Sequence, residues 1–113
     1  MKRITPPSYL NGIPCSIVSV SCALGYYCLD VPDELNPEGY CSLKEANKYV
    51  RRNLNVKKRT DFKRGQRPLL KDLHFQGKAI VGVMGHFLYL DGETYHSFFP
   101  NEEDPVFVIW ELK

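Results

Sequence analysis

The sequence predicts an α+β domain in which N-terminal helices pack on a C-terminal antiparallel sheet of about four strands. Three observations lead there. Residues 43–53 place apolar side chains at helical spacing behind a capping box, whereas residues 78–112 are rich in Val, Ile, Phe, Tyr and Trp. Between two of those later runs, Asp91-Gly92 is a dipeptide favoured in two-residue hairpin turns. The 113 residues suit one domain with a single modest core. Its expected parts are an irregular lead-in over 1–14, a mainly helical portion with a basic segment over 15–76, and the sheet over 78–112.

In chain order, residues 5–14 hold three prolines, Asn11 and Gly12, and read as an irregular approach to Cys15. Residues 15–24 form an apolar run that Gly25 stops as a helix C-cap would, although Ile17, Val18 and Val20 are β-branched and partly alternate like a strand. Residues 26–41, with three tyrosines, Pro32, Pro37 and Gly39, read as a loop with packed anchors. In Ser42-Leu43-Lys44-Glu45 the Ser and Glu side chains satisfy each other's open N–H groups and start a helix to about Asn53, with Leu43, Ala46, Tyr49 and Val50 as its apolar stripe. A short helix after Pro68, carrying Leu69, Leu70 and Leu73, closes at Gly77. Strands are expected over 78–84, 86–90, 93–99 and 106–112.

Hydrophobic content of 43% and charged content of 25% are those of an ordinary soluble globular chain. No stretch approaches the ~18 unbroken apolar residues of a membrane span, and the first residues, Met1-Lys2-Arg3-Ile4-Thr5-Pro6-Pro7, lack the apolar core of a signal peptide. The expected location is therefore the cytoplasm, where Cys15, Cys22, Cys28 and Cys41 stay reduced. None of them makes a Cys-x-x-Cys pair, which argues against a zinc site, and no metal or other cofactor is expected. Cys22 reads as core, Cys28 and Cys41 as structural, and His74 as a solvated or helix-capping residue.

The chemistry centres on Cys15, at a helix start, and His86, at a strand start after Gly85. Open N–H groups at a helix N-terminus stabilise an anion, and an imidazole that takes the proton stabilises it further, giving a thiolate–imidazolium nucleophile. Each residue alone has a plainer reading, as a small buried hydrophobe and as a satisfied core or surface histidine. The order of parts, with the cysteine on the first helix and the histidine on a central strand, resembles the papain-like cysteine peptidases. Among them it is similar to the bacteriocin-processing peptidases and, more closely, to small papain-like proteins of phages and bacteria. The residues that carry the likeness are 15–25, 69–77, 78–84, Gly85-His86, Asp91-Gly92, Tyr95 and the aromatic last strand with Ile109-Trp110.

That resemblance implies hydrolysis of a peptide or amide bond, with a peptide or protein as substrate or partner, a third residue that orients the imidazole, and an oxyanion stabiliser ahead of the cysteine. The pattern places an acidic residue after Tyr95, where this chain has His96. If Leu90 pairs with Glu93, His86 stands opposite Ser97, and alternation puts Tyr95, Ser97 and Phe99 on the His86 face. Ser97 or Tyr95 then orients the ring, and His96 does so only if a bulge reverses the alternation. Asn11 is the upstream side-chain amide suited to the oxyanion, and Asn11-Gly12 is equally a favoured turn dipeptide.

A rival reading rests on charge. Net charge is only +2, yet 11 of the 15 Lys and Arg lie between Lys44 and Lys71, with Arg51, Arg52, Lys57, Lys58, Arg59, Lys63, Arg64 and Arg67 as the band. Such a band suits phosphates or an acidic protein surface, and its plain alternative is a solvated face. Phe62 is the only ring in its densest part, which leaves single-strand nucleic acid stacking weakly supported.

Overall fold

The computed structural model describes residues 1–6, 8, 11–12, 15–24 and 43–113. In chain order these form β1 (Lys2–Ile4), α1 (Cys15–Leu24), α2 (Leu43–Asn53), β2 (Val56–Asp61), β3 (Lys78–Val83), β4 (His86–Asp91), β5 (Thr94–His96) and β6 (Val106–Leu112). The expected loop over 26–41, the Ser42 half of the capping box, Gly25, Cys28 and Cys41 lie outside the described residues.

The α+β class holds, but the sheet has six strands rather than about four, in the order β1-β5-β4-β3-β6-β2. It is mixed: β1 runs parallel to β5, and the other neighbours are antiparallel. Both additional strands are edges with little apolar signal. β1, inside the expected irregular lead-in, is Lys-Arg-Ile, exposed throughout, and β2, inside the expected helical portion, is Val-Lys-Lys-Arg-Thr-Asp. Charged side chains on an edge strand deter pairing with another molecule, and they also hide the strand from a hydrophobic-alternation search.

The expected single core is two clusters, one on each face. Val20 of α1 and Ala46, Tyr49 and Val50 of α2 pack with Ile80, Tyr89, Val108 and Trp110. On the opposite face Ala79, Val81, Val83, Leu88, Leu90, Tyr95, Val106 and Ile109 pack with Leu70, and half-buried Phe62, Leu73 and Phe75 cover them. This arrangement explains why 79–83 reads as an unbroken apolar run: β3 is central and buried on both faces. Asn47 joins α2 to the sheet by accepting the Trp110 indole N–H at 2.8 Å.

The helix expected over 69–77 is reduced to a single 3-10 turn at Leu70–Asp72. Its N–H groups have partners outside any helix: Leu70 donates to the Asp104 carbonyl at 2.9 Å and Lys71 to that of Glu102 at 3.0 Å. The 3-10 turn thereby clamps the 101–105 loop.

The β4–β5 hairpin also departs from expectation. Asp91 pairs with Thr94, so Gly92 and Glu93 are the turn residues, and Leu90 faces Tyr95 instead of Glu93. Gly92 supplies the left-handed φ of 59° that this turn requires. A shift of two residues preserves which face each side chain takes. Tyr95 therefore still shares the face of Leu88 and Leu90, and His96 still lies beside Tyr89, with ring centroids 5.1 Å apart.

Candidate functional site

Cys15 is the first residue of α1, and its Sγ accepts the backbone N–H of Phe87 at 3.4 Å. That N–H belongs to the peptide unit linking His86 to Phe87, so the sulfur sits against the backbone of the predicted base. Phe87 is held in turn, its ring 5.9 Å from that of Trp110. Space for it comes from Gly82 across the β3–β4 pair, where a Cβ would fall 2.7 Å from Val108 Cγ1 and 3.1 Å from Phe87 Cε1.

His86 starts β4 directly after Gly85, whose φ of 66° lets the chain reverse from β3. Its ring is half-buried, meets the Phe99 ring edge-on with centroids 5.6 Å apart, and has Nε2 2.9 Å from Ser97 Oγ. Burial pushes the imidazole below its ordinary pKa of 6.5, and the Asp104 carboxylate opposes that shift. The resting thiolate–imidazolium pair expected from the sequence requires the opposite direction; burial favours an uncharged ring at neutral pH.

Ser97 follows the end of β5, and its backbone N–H donates to the Ile4 carbonyl of β1 at 3.1 Å. The N-terminal strand thus pins the residue that contacts His86. From Ser97 a polar chain runs on through the loop. Its hydroxyl lies 2.6 Å from Asn101 Oδ1 and accepts the Phe99 N–H at 3.1 Å, and Asn101 Nδ2 donates to Asp104 Oδ2 at 2.7 Å. The Asn101 N–H donates to the Tyr95 hydroxyl at 3.1 Å. Burial and a hydrogen bond to Glu102 raise the Tyr95 phenol to about 12. Ser97 and Asn101 are buried, and Asp104 is half-exposed.

Of the predicted site residues, Ser97 contacts the His86 ring as expected, although by its position beyond β5 rather than by the Leu90–Glu93 register. Cys15 meets the backbone at the start of β4 through the Phe87 N–H, on the side where the Phe87 ring packs with Trp110. His96 does not join them. With β4 and β5 in unbroken register it stays on the Tyr89 face, its Nδ1 buried with no hydrogen-bond partner among the described residues. Asn11 occupies an exposed turn and donates its backbone N–H to the Ser8 carbonyl at 3.0 Å, while Gly12 takes a φ of 90°. Asn101 and Asp104 were not anticipated. Their only sequence signal is an Asn-x-x-Asp spacing after Pro100, common in ordinary turns.

Cys22 packs against the helix-side core, and His74 is exposed. In the basic band, Arg59 is committed to a bidentate pair with Asp61 and to the Trp110 face at 5.4 Å. Arg67 lies 3.8 Å from the centre of the Phe107 ring. Lys57, Lys58, Lys63 and Arg64 are exposed along and beyond the β2 edge, and Arg51 and Arg52 at the end of α2. Among the described residues, no three His, Cys, Asp or Glu side chains are grouped to hold a metal ion, and no helix is long and apolar enough to cross a membrane.

The sequence matches no protein-family model, no curated protein and no solved structure.

Proposed function

We propose that this chain is a papain-like domain acting as a thiol-dependent hydrolase on a peptide or isopeptide-like amide, in the cytoplasm. One observation carries the reading: the Cys15 sulfur accepts the Phe87 N–H at a helix start, one peptide unit from a half-buried histidine whose Nε2 is already engaged by Ser97. In this mechanism His86 takes the Cys15 thiol proton as sulfur bonds to the carbonyl carbon, and gives it to the leaving amine as the C–N bond breaks. The thioester is then hydrolysed by water that His86 deprotonates. The Cys15 backbone N–H and the Asn11 amide serve the oxyanion in both halves.

The test is labelling of Cys15 by a thiol-reactive electrophile across a pH series, with Cys22, Cys28 and Cys41 replaced by Ser. An activated Cys15 reacts well below the ~8.5 pKa of an ordinary thiol, and His86→Ala removes that advantage. Reaction no faster than a model thiol, with the fold intact, overturns the hydrolase.

A second reading, a non-catalytic binding domain, is favoured by the exposed cations Lys57, Lys58, Lys63 and Arg64, none of them in a salt bridge among the described residues. Its partner is an acidic protein surface or nucleic acid, bound with strong salt dependence.

A further inference from the structure

We infer that Asp104, acting through Asn101 and Ser97, fixes His86 as the tautomer protonated on Nε2 and leaves Nδ1 bare. The inference deepens the preceding reading, because it assigns which nitrogen acts as the base there.

The direction of every bond in the chain follows from its far end. A carboxylate only accepts, so the Asn101 atom 2.7 Å from Asp104 Oδ2 is the amide nitrogen, and the amide oxygen faces Ser97. The contact between Ser97 Oγ and Asn101 Oδ1, at 2.6 Å, is short even for a hydroxyl donor and unsuited to two acceptors, so the Ser97 proton lies on it. One Ser97 lone pair receives the Phe99 N–H at 3.1 Å. With its proton spent and one lone pair filled, the hydroxyl has only an acceptor site left for the ring nitrogen 2.9 Å away. His86 Nε2 must therefore carry the hydrogen. The reverse polarity would turn the Asn101 amide over and set its oxygen against the Asp104 carboxylate, two acceptors at 2.7 Å with no proton between them.

Ser97 and Asn101 are 2% and 5% exposed, which keeps water from offering either of them a substitute partner. The loop carrying Asn101 and Asp104 is braced independently of the site, by the Asp104 N–H on the Asn101 carbonyl and by the 3-10 turn. Asp104 is thus a positioning residue for His86, and it acts through two neutral side chains.

The experiment is 15N NMR of the ring nitrogens in the full chain at a pH where His86 is uncharged, the His86 signals being assigned by their loss in His86→Gln. The wild type is expected to show a protonated, pyrrole-type Nε2 and a pyridine-type Nδ1. Asp104→Ala lets the Asn101 amide turn over and donate to Ser97, whose hydroxyl then donates to the ring, so the two signals exchange types. Asn101→Ala removes the acceptor of the Ser97 proton and gives the same exchange, and Ser97→Thr, which keeps the hydroxyl, retains the wild-type pattern. A wild-type ring protonated on Nδ1 overturns the inference, as does an unchanged ring in Asp104→Ala. Cys15 reactivity plays no part in this readout, so failure of the tautomer assignment and failure of the hydrolase reading are separate results.

Discussion

Gly82→Ala tests whether packing behind Phe87 sets the position of the Cys15 sulfur. A Cβ at residue 82 would lie 2.7 Å from Val108 Cγ1, about 1 Å inside ordinary carbon–carbon contact, and 3.1 Å from the Phe87 ring. Neither neighbour yields readily. Val108 and Gly82 are buried in the sheet, and Phe87 leans on the fully buried Trp110. Overpacking of this kind costs about 1–3 kcal/mol, and the gain from replacing glycine in a strand returns roughly 0.5–1 of it, leaving a net loss of about 1–2 kcal/mol. For a domain of this size that lowers Tm by about 4–8 °C. Urea and thermal unfolding measure the loss, and Val108→Ala in the same chain distinguishes its cause by removing the methyl group that clashes. The double variant should be less destabilised than the sum of the two singles by at least ~0.5 kcal/mol. Cys15 labelling should change in Gly82→Ala and recover in the double variant, because the sulfur's N–H donor moves with Phe87. Additive stabilities, or an unperturbed Gly82→Ala protein, refute the packing argument.

Other expectations rest on separate contacts. Asn47→Ala leaves the Trp110 N–H, in a fully buried indole, with no acceptor and should cost about 1–3 kcal/mol in urea unfolding followed by the fluorescence of this single tryptophan; a loss under ~0.5 kcal/mol counts against that bond. Burial lowers the pKa of both His86 and His96 from 6.5, so below that value the unfolded chain binds more protons than the folded one. Their contribution to stability is complete above about pH 6.5 and is lost as pH falls through their depressed folded values; replacing both by Gln should flatten this slope, and an unchanged slope refutes the assignment. Reversing the charges of Lys57, Lys58, Lys63 and Arg64 should leave Tm within a few degrees, since all four are exposed, while abolishing any salt-sensitive retention on heparin. Retention that survives the reversal removes the band from the binding reading.

What was legible in the sequence follows the physics of each element. The α2 stripe, the β3 run and the Asp91-Gly92 hairpin carry periodic or turn-specific signals and appear where expected to within a residue or two, except that Leu43, at the start of the stripe, is exposed. Face assignment survived even though the hairpin register was wrong by two, since side-chain alternation depends only on parity. That is why Tyr95 and His96 fall on the predicted faces. β1 and β2 leave no mark in the sequence because an edge strand with charged side chains has no apolar period, and the helix expected after Pro68 shrinks to a 3-10 turn because cross-loop bonds to Glu102 and Asp104 replace helical ones. The partners of Ser97 were illegible for a further reason. Asn101 and Asp104 lie in a loop shaped by hydrogen bonds that have no sequence period, and Ser97 is fixed by Ile4, more than ninety residues away in the chain.

Under the proposed hydrolase reading, the position of the negative charge at the end of this relay bears on how the sulfur would be activated. A carboxylate touching His86 would stabilise imidazolium strongly, and desolvation of the ring would then count for less. Here Ser97 and Asn101 stand between the ring and Asp104, and Coulomb attraction weakens with that separation while the burial penalty on the charged ring remains. The balance falls on the side of burial, and the imidazole pKa is lowered. In the proposed hydrolase, a lowered imidazole pKa works against a standing imidazolium, and the proton would pass from Cys15 to His86 during attack. On that reading orientation matters most: an imidazole that serves as base only at the moment of reaction must already present the correct nitrogen, which is what a chain of fixed hydrogen-bond direction supplies.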